Sequence, residues 1–331
     1  MKQFTAISLI FLILLPTALS GCGDVKTADS GDKISIVCTV FPQYDWVRQI
    51  LGEEADNVDL TLLLQSRIDL HNFQPSVDDI VRISNCDLFI YVGGESDEWA
   101  EDVLGEAINE EMIIVNLLDE LGEAAKVEEI IEGMEDEDDD DHDDEGDDDD
   151  HEDEYDEHVW LSLKNAQMFC AIIAEVLTEL DPENTVVYQS NLAAYTQKLS
   201  ALDSEYQMAV KAAPIKTLLF GDRFPFRYLV DDYGLSYYAA FAGCSAETEA
   251  SFETIIFLSE KTDELSLNNI MVTESSDMKI AETIRNNTTA KNQQILKLDA
   301  MQSVITSDVQ SGTSYLSIME SNLNVLKEAL R

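Results

Sequence analysis

Residues 183–212 read ENTVVYQSNLAAYTQKLSALDSEYQMAVKA. Apolar residues recur there at alternating spacings of four and three, at Tyr188, Leu192, Tyr195, Leu199, Leu202, Tyr206 and Ala209. This spacing predicts one apolar face on a helix about 45 Å long, at 1.5 Å per residue. Pro214 predicts the end of the helix, because proline has no N–H to donate. A helix this long is stiff, so we expect it to join two folded lobes as a rigid strut.

Short apolar runs lie on both sides of this helix and alternate with helical patterns. Before it, four runs predict strands at Lys33–Val40, Val58–Leu64, Cys86–Gly93 and Met112–Leu117. After it, three runs predict strands at Lys216–Phe220, Ile270–Thr273 and Gln294–Leu298. Strands that alternate with helices favour parallel sheets covered by helices. The predicted fold class is therefore α/β, with two parallel-sheet lobes joined by one long rigid helix.

An acidic segment precedes the helix by about 25 residues. Residues 135–157 contain 19 acidic residues in 23 positions, together with His142 and His151, and His158 follows directly. Such a run repels itself and buries no apolar surface, so we expect a disordered, solvated loop. One interpretation is a linker that only keeps the protein soluble. The other is a loop that attracts metal ions, because carboxylates and imidazoles together suit divalent transition metals.

The first 22 residues have the features of an export signal. Lys2 is followed by the apolar run Ile7–Leu15 and then by Leu19-Ser20-Gly21-Cys22. The apolar run is too short for a membrane span, and small residues before a cysteine resemble a bacterial lipobox. We therefore predict cleavage before Cys22, a lipid on its sulfur, and a polar tether over residues 23–32. The alternative is an ordinary signal peptide with an incidental cysteine.

Composition limits the possible partners. The formal net charge is −47, and it is still −28 without the 19 acidic residues of the loop. This excess argues against nucleic acid and anionic membrane surfaces as partners and favours cations. Four further cysteines, Cys38, Cys86, Cys170 and Cys244, form no CxxC motif. The apolar surroundings of the first three predict buried thiols.

Several motifs together resemble one family, the zinc- or manganese-binding solute-binding lipoproteins of bacterial ABC transporters (cluster A-I metal receptors, zinc branch). The resemblance covers residues 33–331, and its most specific parts are DLHNFQPSVDDI, DEHVWLSLKNA and the C-terminal LDAM. It implies two α/β lobes at residues 33–182 and 214–331, a rigid linking helix at 183–213, and a metal site in the cleft between the lobes. It also implies a non-enzymatic monomer that passes its ion to an ABC permease at the outer face of the cell membrane.

The resemblance also implies ligands. His71, in the His-x-x-x-Pro loop, and His158, before the x-Trp-Leu turn, match the first two family ligands. The third family ligand follows the first strand of the second lobe, where this chain has Arg223, and a protonated guanidinium does not bind cations. Asp222 is the nearest replacement, and Asp299, at a strand end, matches the aspartate that is the fourth ligand in the manganese branch. Glu274, also at a strand end, and Cys244, in a nearby loop, are further candidates. His142 and His151 are candidates for auxiliary metal binding.

Zinc is the favoured ion, because zinc accepts a four-coordinate nitrogen and oxygen site and the acidic histidine loop resembles the zinc branch. Manganese or iron remains an alternative, since oxygen in place of a third imidazole suits harder ions. An acidic metal-binding surface adhesin is a second alternative, although the run lacks the spaced pattern of a calcium loop. A metallohydrolase is disfavoured because no HExxH-type arrangement is present.

Overall fold

The computed structural model describes residues 33–65, 70–135, 154–245 and 249–331. By its contacts, the chain divides at Lys33, and Ile34–Arg331 form one compact unit. The predicted signal peptide, Cys22, the tether, His142 and His151 all lie outside the described residues. In the part that is described, no helix has the length and apolar character needed to cross a membrane.

Two four-stranded sheets, both entirely parallel, form the frame. The first contains β1 (Ser35–Cys38), β2 (Asp59–Leu62), β3 (Leu88–Tyr91) and β4 (Ile113–Asn116), in the order β2-β1-β3-β4. The second contains β5 (Thr217–Arg223), β6 (Ser236–Phe241), β7 (Asn269–Thr273) and β8 (Gln294–Leu298), in the order β6-β5-β7-β8. The two sheets therefore share one strand order, and the predicted α/β class is confirmed.

Strand β6 was missed by the sequence analysis, which predicted three strands in the second half. Its sequence, SYYAAF, combines aromatic residues that favour strands with two alanines and no β-branched residue, so the local strand signal is mixed. The strand exists because it pairs with β5, with Tyr237 opposite Leu218 and Ala239 opposite Phe220. β6 is therefore a strand because it pairs with β5 at the edge of the sheet.

Helices cover the sheets and connect the strands. They are α1 (Phe41–Leu51), α2 (Val77–Asn85), α3 (Trp99–Gly105), α4 (Leu117–Leu121), α5 (Leu163–Leu180), α6 (Thr185–Ala212), α7 (Arg227–Tyr233), α8 (Phe252–Glu264), α9 (Lys279–Asn287), α10 (Thr306–Gln310) and α11 (Tyr315–Ala329). Helix α1 begins at Phe41, early in the connection that follows β1. Pro42 fits its first turn, and Gln43 Oε1 accepts the N–H groups of Thr39 and Val40, which fixes the early start.

Helix α6 is the predicted long helix, with 28 residues. Its buried positions are Tyr188, Tyr195, Leu199, Leu202, Tyr206 and Val210, so the predicted apolar face is confirmed up to Tyr206. The helix packs against α1, α5 and α11, and the Tyr206 hydroxyl donates to the Met319 carbonyl at 2.7 Å. It is therefore anchored along its length.

One buried apolar cluster extends through both halves of the molecule, and a second, smaller one lies within the second half. The larger cluster contains Phe89 of the first sheet, Phe220 of the second, and Trp46, Trp160 and Tyr315 between them. The Tyr315 hydroxyl donates to the Trp160 carbonyl at 2.7 Å, and the Trp160 indole N–H donates to the Ala300 carbonyl at 2.9 Å. These bonds hold the segment around residue 160 against helix α11 and the loop that follows β8. His158 lies in this segment.

Candidate metal centre

His71 lies on a single helical turn, Leu70–Asn72, after strand β2. Its Nδ1 lies 2.7 Å from the Ser96 hydroxyl and 3.4 Å from Oε2 of Glu157. Burial by itself raises the pKa of Glu157, but the hydrogen bond and charge of His71 and the hydrogen bonds of Ser96 outweigh it and lower that pKa. Glu157 is therefore a carboxylate, which holds the proton on Nδ1 and leaves Nε2 of His71 as a donor atom.

His158 is completely buried at the start of the turn before α5. Its backbone N–H donates to Asp156 Oδ1 at 2.8 Å, and its Nδ1 lies 3.0 Å from the same oxygen. This carboxylate places the ring proton on Nδ1, so Nε2 carries the lone pair. Each histidine thus pairs with its own carboxylate.

The two Nε2 atoms face each other at 3.4 Å. Two nitrogens bound to one tetrahedral zinc at 2.0–2.1 Å lie about 3.3 Å apart, so the observed spacing fits a shared ion. The side-chain amide nitrogen of Gln302 lies 2.8 Å from Nε2 of His158 and donates to its lone pair. The structure therefore brings together the two histidines that the sequence analysis paired.

Cys244 is the third donor of this cluster. One ligand atom from each of His71, His158 and Cys244 lies within 4.8 Å of the others. Burial, followed by the charges of Asp156, Glu128 and Glu157, raises the pKa of the Cys244 thiol well above its usual value. Among the described residues, this is the group of histidine, cysteine and acidic side chains with metal-binding geometry.

A cavity of about 280 Å³ opens at this cluster. It contains His71 and Cys244 and is otherwise lined largely by acidic and polar side chains, namely Asn72, Glu95, Ser96, Glu128, Glu154, Tyr155 and Glu157. Burial and neighbouring carboxylates raise the pKa of Glu95, because these groups repel one another. A bound cation relieves that repulsion. Larger hollows, of about 610 and 480 Å³, lie along α6 but contain no imidazole or thiol.

The three predicted acidic ligands of the second lobe lie at strand ends but outside this cluster. Oδ2 of Asp222 accepts the N–H and the hydroxyl of Thr273 at 3.1 and 2.9 Å. Glu274 accepts the N–H groups of Ala300 and Gln302. Both carboxylates thus accept hydrogen bonds from backbone N–H groups, and their role as ligands stays a prediction.

Asp299 helps to shape the loop that follows β8, which also contains Gln302. Its Oδ1 accepts the Met301 N–H at 2.8 Å, and Met301 adopts a left-handed φ of 65°, which is costly for a residue other than glycine. Burial and the charge of Glu274 raise the pKa of Asp299 to about 6. Asp299 and Glu274 together hold the turn that presents Gln302 to His158, and metal binding by Asp299 also stays a prediction.

The sequence analysis did not single out five residues of the site: Ser96, Glu128, Asp156, Glu157 and Gln302. Asp156 and Glu157 lie within the acidic run, where composition gives no reason to separate them from their neighbours. Their position directly before His158 was the available signal. Nothing local marked Ser96, Glu128 or Gln302, which reach the site from distant parts of the chain.

Comparisons with known proteins cover nearly the whole chain. The family model for zinc-uptake complex component A, periplasmic (ZnuA), matches residues 36–329. The chain is 30% identical to the high-affinity zinc uptake system protein ZnuA of Bacillus subtilis, over 99% of this chain and 98% of that protein. It is 29% identical to the zinc-binding lipoprotein AdcA of Streptococcus pneumoniae, over 97% of this chain but 60% of AdcA.

Among solved structures, the Zn(II)-bound ZnuA-like domain of Streptococcus pneumoniae AdcA superposes with a TM-score of 0.68 at 25% identity. The match covers 90% of this chain and 99% of that domain. The sequence and fold similarities thus both extend over most of the chain. The chain therefore belongs to the family of zinc-uptake complex component A, the ZnuA family.

Proposed function

We propose that this protein is the extracytoplasmic receptor of an ABC importer, which captures Zn²⁺ and delivers it to a membrane permease. The observation that carries the proposal is the pair of Nε2 atoms 3.4 Å apart, each on a histidine whose Nδ1 faces a carboxylate. Neutral imidazoles held in this way are good zinc ligands. The names of the relatives, which describe zinc uptake and zinc binding, support the same ion.

A binding role suits this site better than catalysis. A hydrolytic zinc site needs an open coordination position and a base beside it. Here the two carboxylates nearest the histidines hold the Nδ1 atoms of the rings, so neither is placed to act as a base. No contact or cavity among the described residues specifically supports the adhesin alternative.

Calorimetric titration of the metal-stripped protein tests the function. We expect one tight Zn²⁺ per chain and weaker binding of Mn²⁺ and Ca²⁺, with light scattering of the same samples reporting a monomer. If Zn²⁺ bound no more tightly than Ca²⁺, the acidic composition alone would account for binding and the receptor function would be wrong.

The proposed location follows from residues 19–22, Leu-Ser-Gly-Cys, which lie outside the described part of the chain. We propose that a lipid on Cys22 anchors the mature protein to the outer face of the cell membrane. Cys22→Ala is expected to release most of the protein into the medium or to leave it unprocessed, as fractionation and immunoblotting would show. An unchanged membrane fraction would contradict the anchor. Cys170→Ala, which removes a buried thiol of α5, is the control.

The acidic loop is proposed to bind additional ions weakly and to raise the local cation concentration. Replacing residues 136–153 with a Gly/Ser segment of equal length removes 15 acidic residues, His142 and His151. We expect tight zinc affinity to change less than about threefold, while the weaker ions disappear. We expect this because a run whose composition predicts disorder would lose conformational entropy on gripping an ion, whereas the residues around His71 and His158 are already positioned.

Calorimetry of this variant separates the two kinds of site. Both ends of the replaced segment stay anchored, because Glu135 donates its N–H to the Ala240 carbonyl and the Glu154 carbonyl accepts from Glu128. A variant that lost the tight site while keeping its fold would make the loop histidines the primary ligands.

A further inference from the structure

The position at which the family resemblance places the third ligand carries Arg223, which does not bind a cation. The structure gives this arginine another contact. Its Nη1 donates to the carbonyl of Ser245 at 3.3 Å, in the loop that follows β6. Arg223 therefore supports the segment Gly243–Ser245, whose middle residue is Cys244.

This segment is also fixed from the other lobe. The Cys244 N–H donates to Oε1 of Glu128 at 2.8 Å. Gly243 passes so close to His158 that an added Cβ would lie 3.3 Å from the ring atoms Cε1 and Nδ1 and 3.0 Å from the Phe224 carbonyl. A side chain at residue 243 would push the loop away, so glycine is what allows the thiol to approach the two imidazoles.

The distances suit a three-donor site. The Nε2 atoms of His71 and His158 are 3.4 Å apart, and the Cys244 donor is within 4.8 Å of both histidine donors. Around tetrahedral zinc, with Zn–S of about 2.3 Å and Zn–N of about 2.05 Å, sulfur and nitrogen lie about 3.6 Å apart. A shift of about 1 Å by one cysteine side chain closes the site.

A second observation also points to a cation. Oε2 of Glu157 is buried, its contact with Nδ1 of His71 is long at 3.4 Å, and it has no other hydrogen-bond partner among the described residues. Glu128, which accepts the Cys244 N–H, lines the same cavity. Negative charge thus converges on the cluster, which favours a bound divalent ion.

We propose that Cys244 is the second-lobe ligand, so that His71, His158 and a Cys244 thiolate hold the ion together. This inference rests on the proposed zinc-binding function and adds the ligand that replaces the missing imidazole. As the zinc–sulfur bond forms, the S–H bond breaks and its proton leaves to solvent, with no change in oxidation state. Arg223 then acts as a positioning residue for the loop.

A sulfur ligand changes metal preference. Thiolate is a soft donor that suits Zn²⁺, whereas Mn²⁺ prefers oxygen. The proposal therefore predicts strong discrimination against Mn²⁺ that depends on one side chain. Cys244→Ser, which is nearly isosteric, is expected to weaken Zn²⁺ binding about 10–100-fold and to lower the Zn²⁺/Mn²⁺ affinity ratio at least tenfold.

The absorption spectrum of the Co²⁺-substituted protein tests directly whether the Cys244 sulfur binds the ion. The wild-type protein with Co²⁺ is expected to show thiolate-to-metal charge-transfer absorption in the near ultraviolet as well as the visible bands of a four-coordinate ion. Cys244→Ser should lose the charge-transfer absorption and keep the visible bands, while Cys170→Ala, which removes a buried thiol of α5, should keep both.

The possible outcomes distinguish failure of the Cys244 assignment from failure of the proposed zinc-receptor function. Tight binding of Zn²⁺ and Co²⁺ by the wild type without charge-transfer absorption would overturn the Cys244 assignment and leave the zinc receptor intact. Absence of tight binding would overturn both. A further measurement uses the wild type and so avoids any folding defect of a variant. Zn²⁺ should slow the alkylation of Cys244 at least tenfold, as peptide mass mapping would show. Equal labelling with and without the ion would contradict the proposal.

Discussion

Replacing His71 or His158 with alanine is expected to lower zinc affinity by more than about 100-fold, which corresponds to about 2.7 kcal/mol. Loss of a residue that only orients a metal ligand costs about 10–100-fold, so loss of the ligand itself should cost more. Both imidazoles present Nε2 to the same point, 3.4 Å apart, and removal of either leaves two protein donors in the cluster. Calorimetry with a competing chelator measures the change.

Two histidines of the acidic loop supply the matched control. His142→Ala and His151→Ala remove the same side chain from the segment proposed for weak binding, and tight affinity should stay within about threefold. Circular dichroism checks the fold, which matters most for His158 because it is fully buried. Full zinc affinity in a folded His71→Ala protein would rule out the paired-imidazole site.

Asp156 is expected to have the second-largest effect among the residues around the ion. Asp156→Ala should weaken zinc binding about 10–100-fold, or about 1.4–2.7 kcal/mol. Its Oδ1 accepts both the backbone N–H of His158, at 2.8 Å, and the ring Nδ1–H, at 3.0 Å. Without it the ring loses the contact that keeps the proton on Nδ1 and the lone pair on Nε2.

Asp156→Asn separates orientation from charge. An asparagine that places its carbonyl oxygen at the Oδ1 position keeps both hydrogen bonds but removes the negative charge, so we expect a loss of about tenfold or less. Glu120→Gln removes one charge from an exposed position on α4 and should leave affinity unchanged. A loss for Asp156→Asn equal to that for Asp156→Ala would mean that charge, and not ring orientation, is the contribution of Asp156.

Local sequence determined much of the architecture. The spacing of Tyr188, Tyr195, Leu199, Leu202 and Tyr206 specifies helix α6, because a period near 3.6 residues places these side chains on one face. Seven strands were visible as apolar runs for a similar reason: buried parallel strands are apolar on both faces. His71 and His158 were recognisable from the short motifs around them.

Only tertiary structure decided the rest of the site. Glu128, Gln302 and Cys244 reach the site from loops far from the histidines in sequence, and Asp156 could not be told apart from the other acidic residues of its run. Strand β6 follows the same rule, since its pairing with β5 and not its composition makes it a strand.

Arg223 shows why the full site could not be derived from the sequence alone. The sequence analysis excluded it as a ligand, because a guanidinium stays protonated. What fills the gap depends on where the loop after β6 passes, and that path is set by the hydrogen bond from Arg223 to Ser245, the bond from Cys244 to Glu128 and the close approach of Gly243 to His158. Secondary structure follows from short-range periodicity, whereas a metal site depends on distances between loops that only the packed fold brings within a few ångströms.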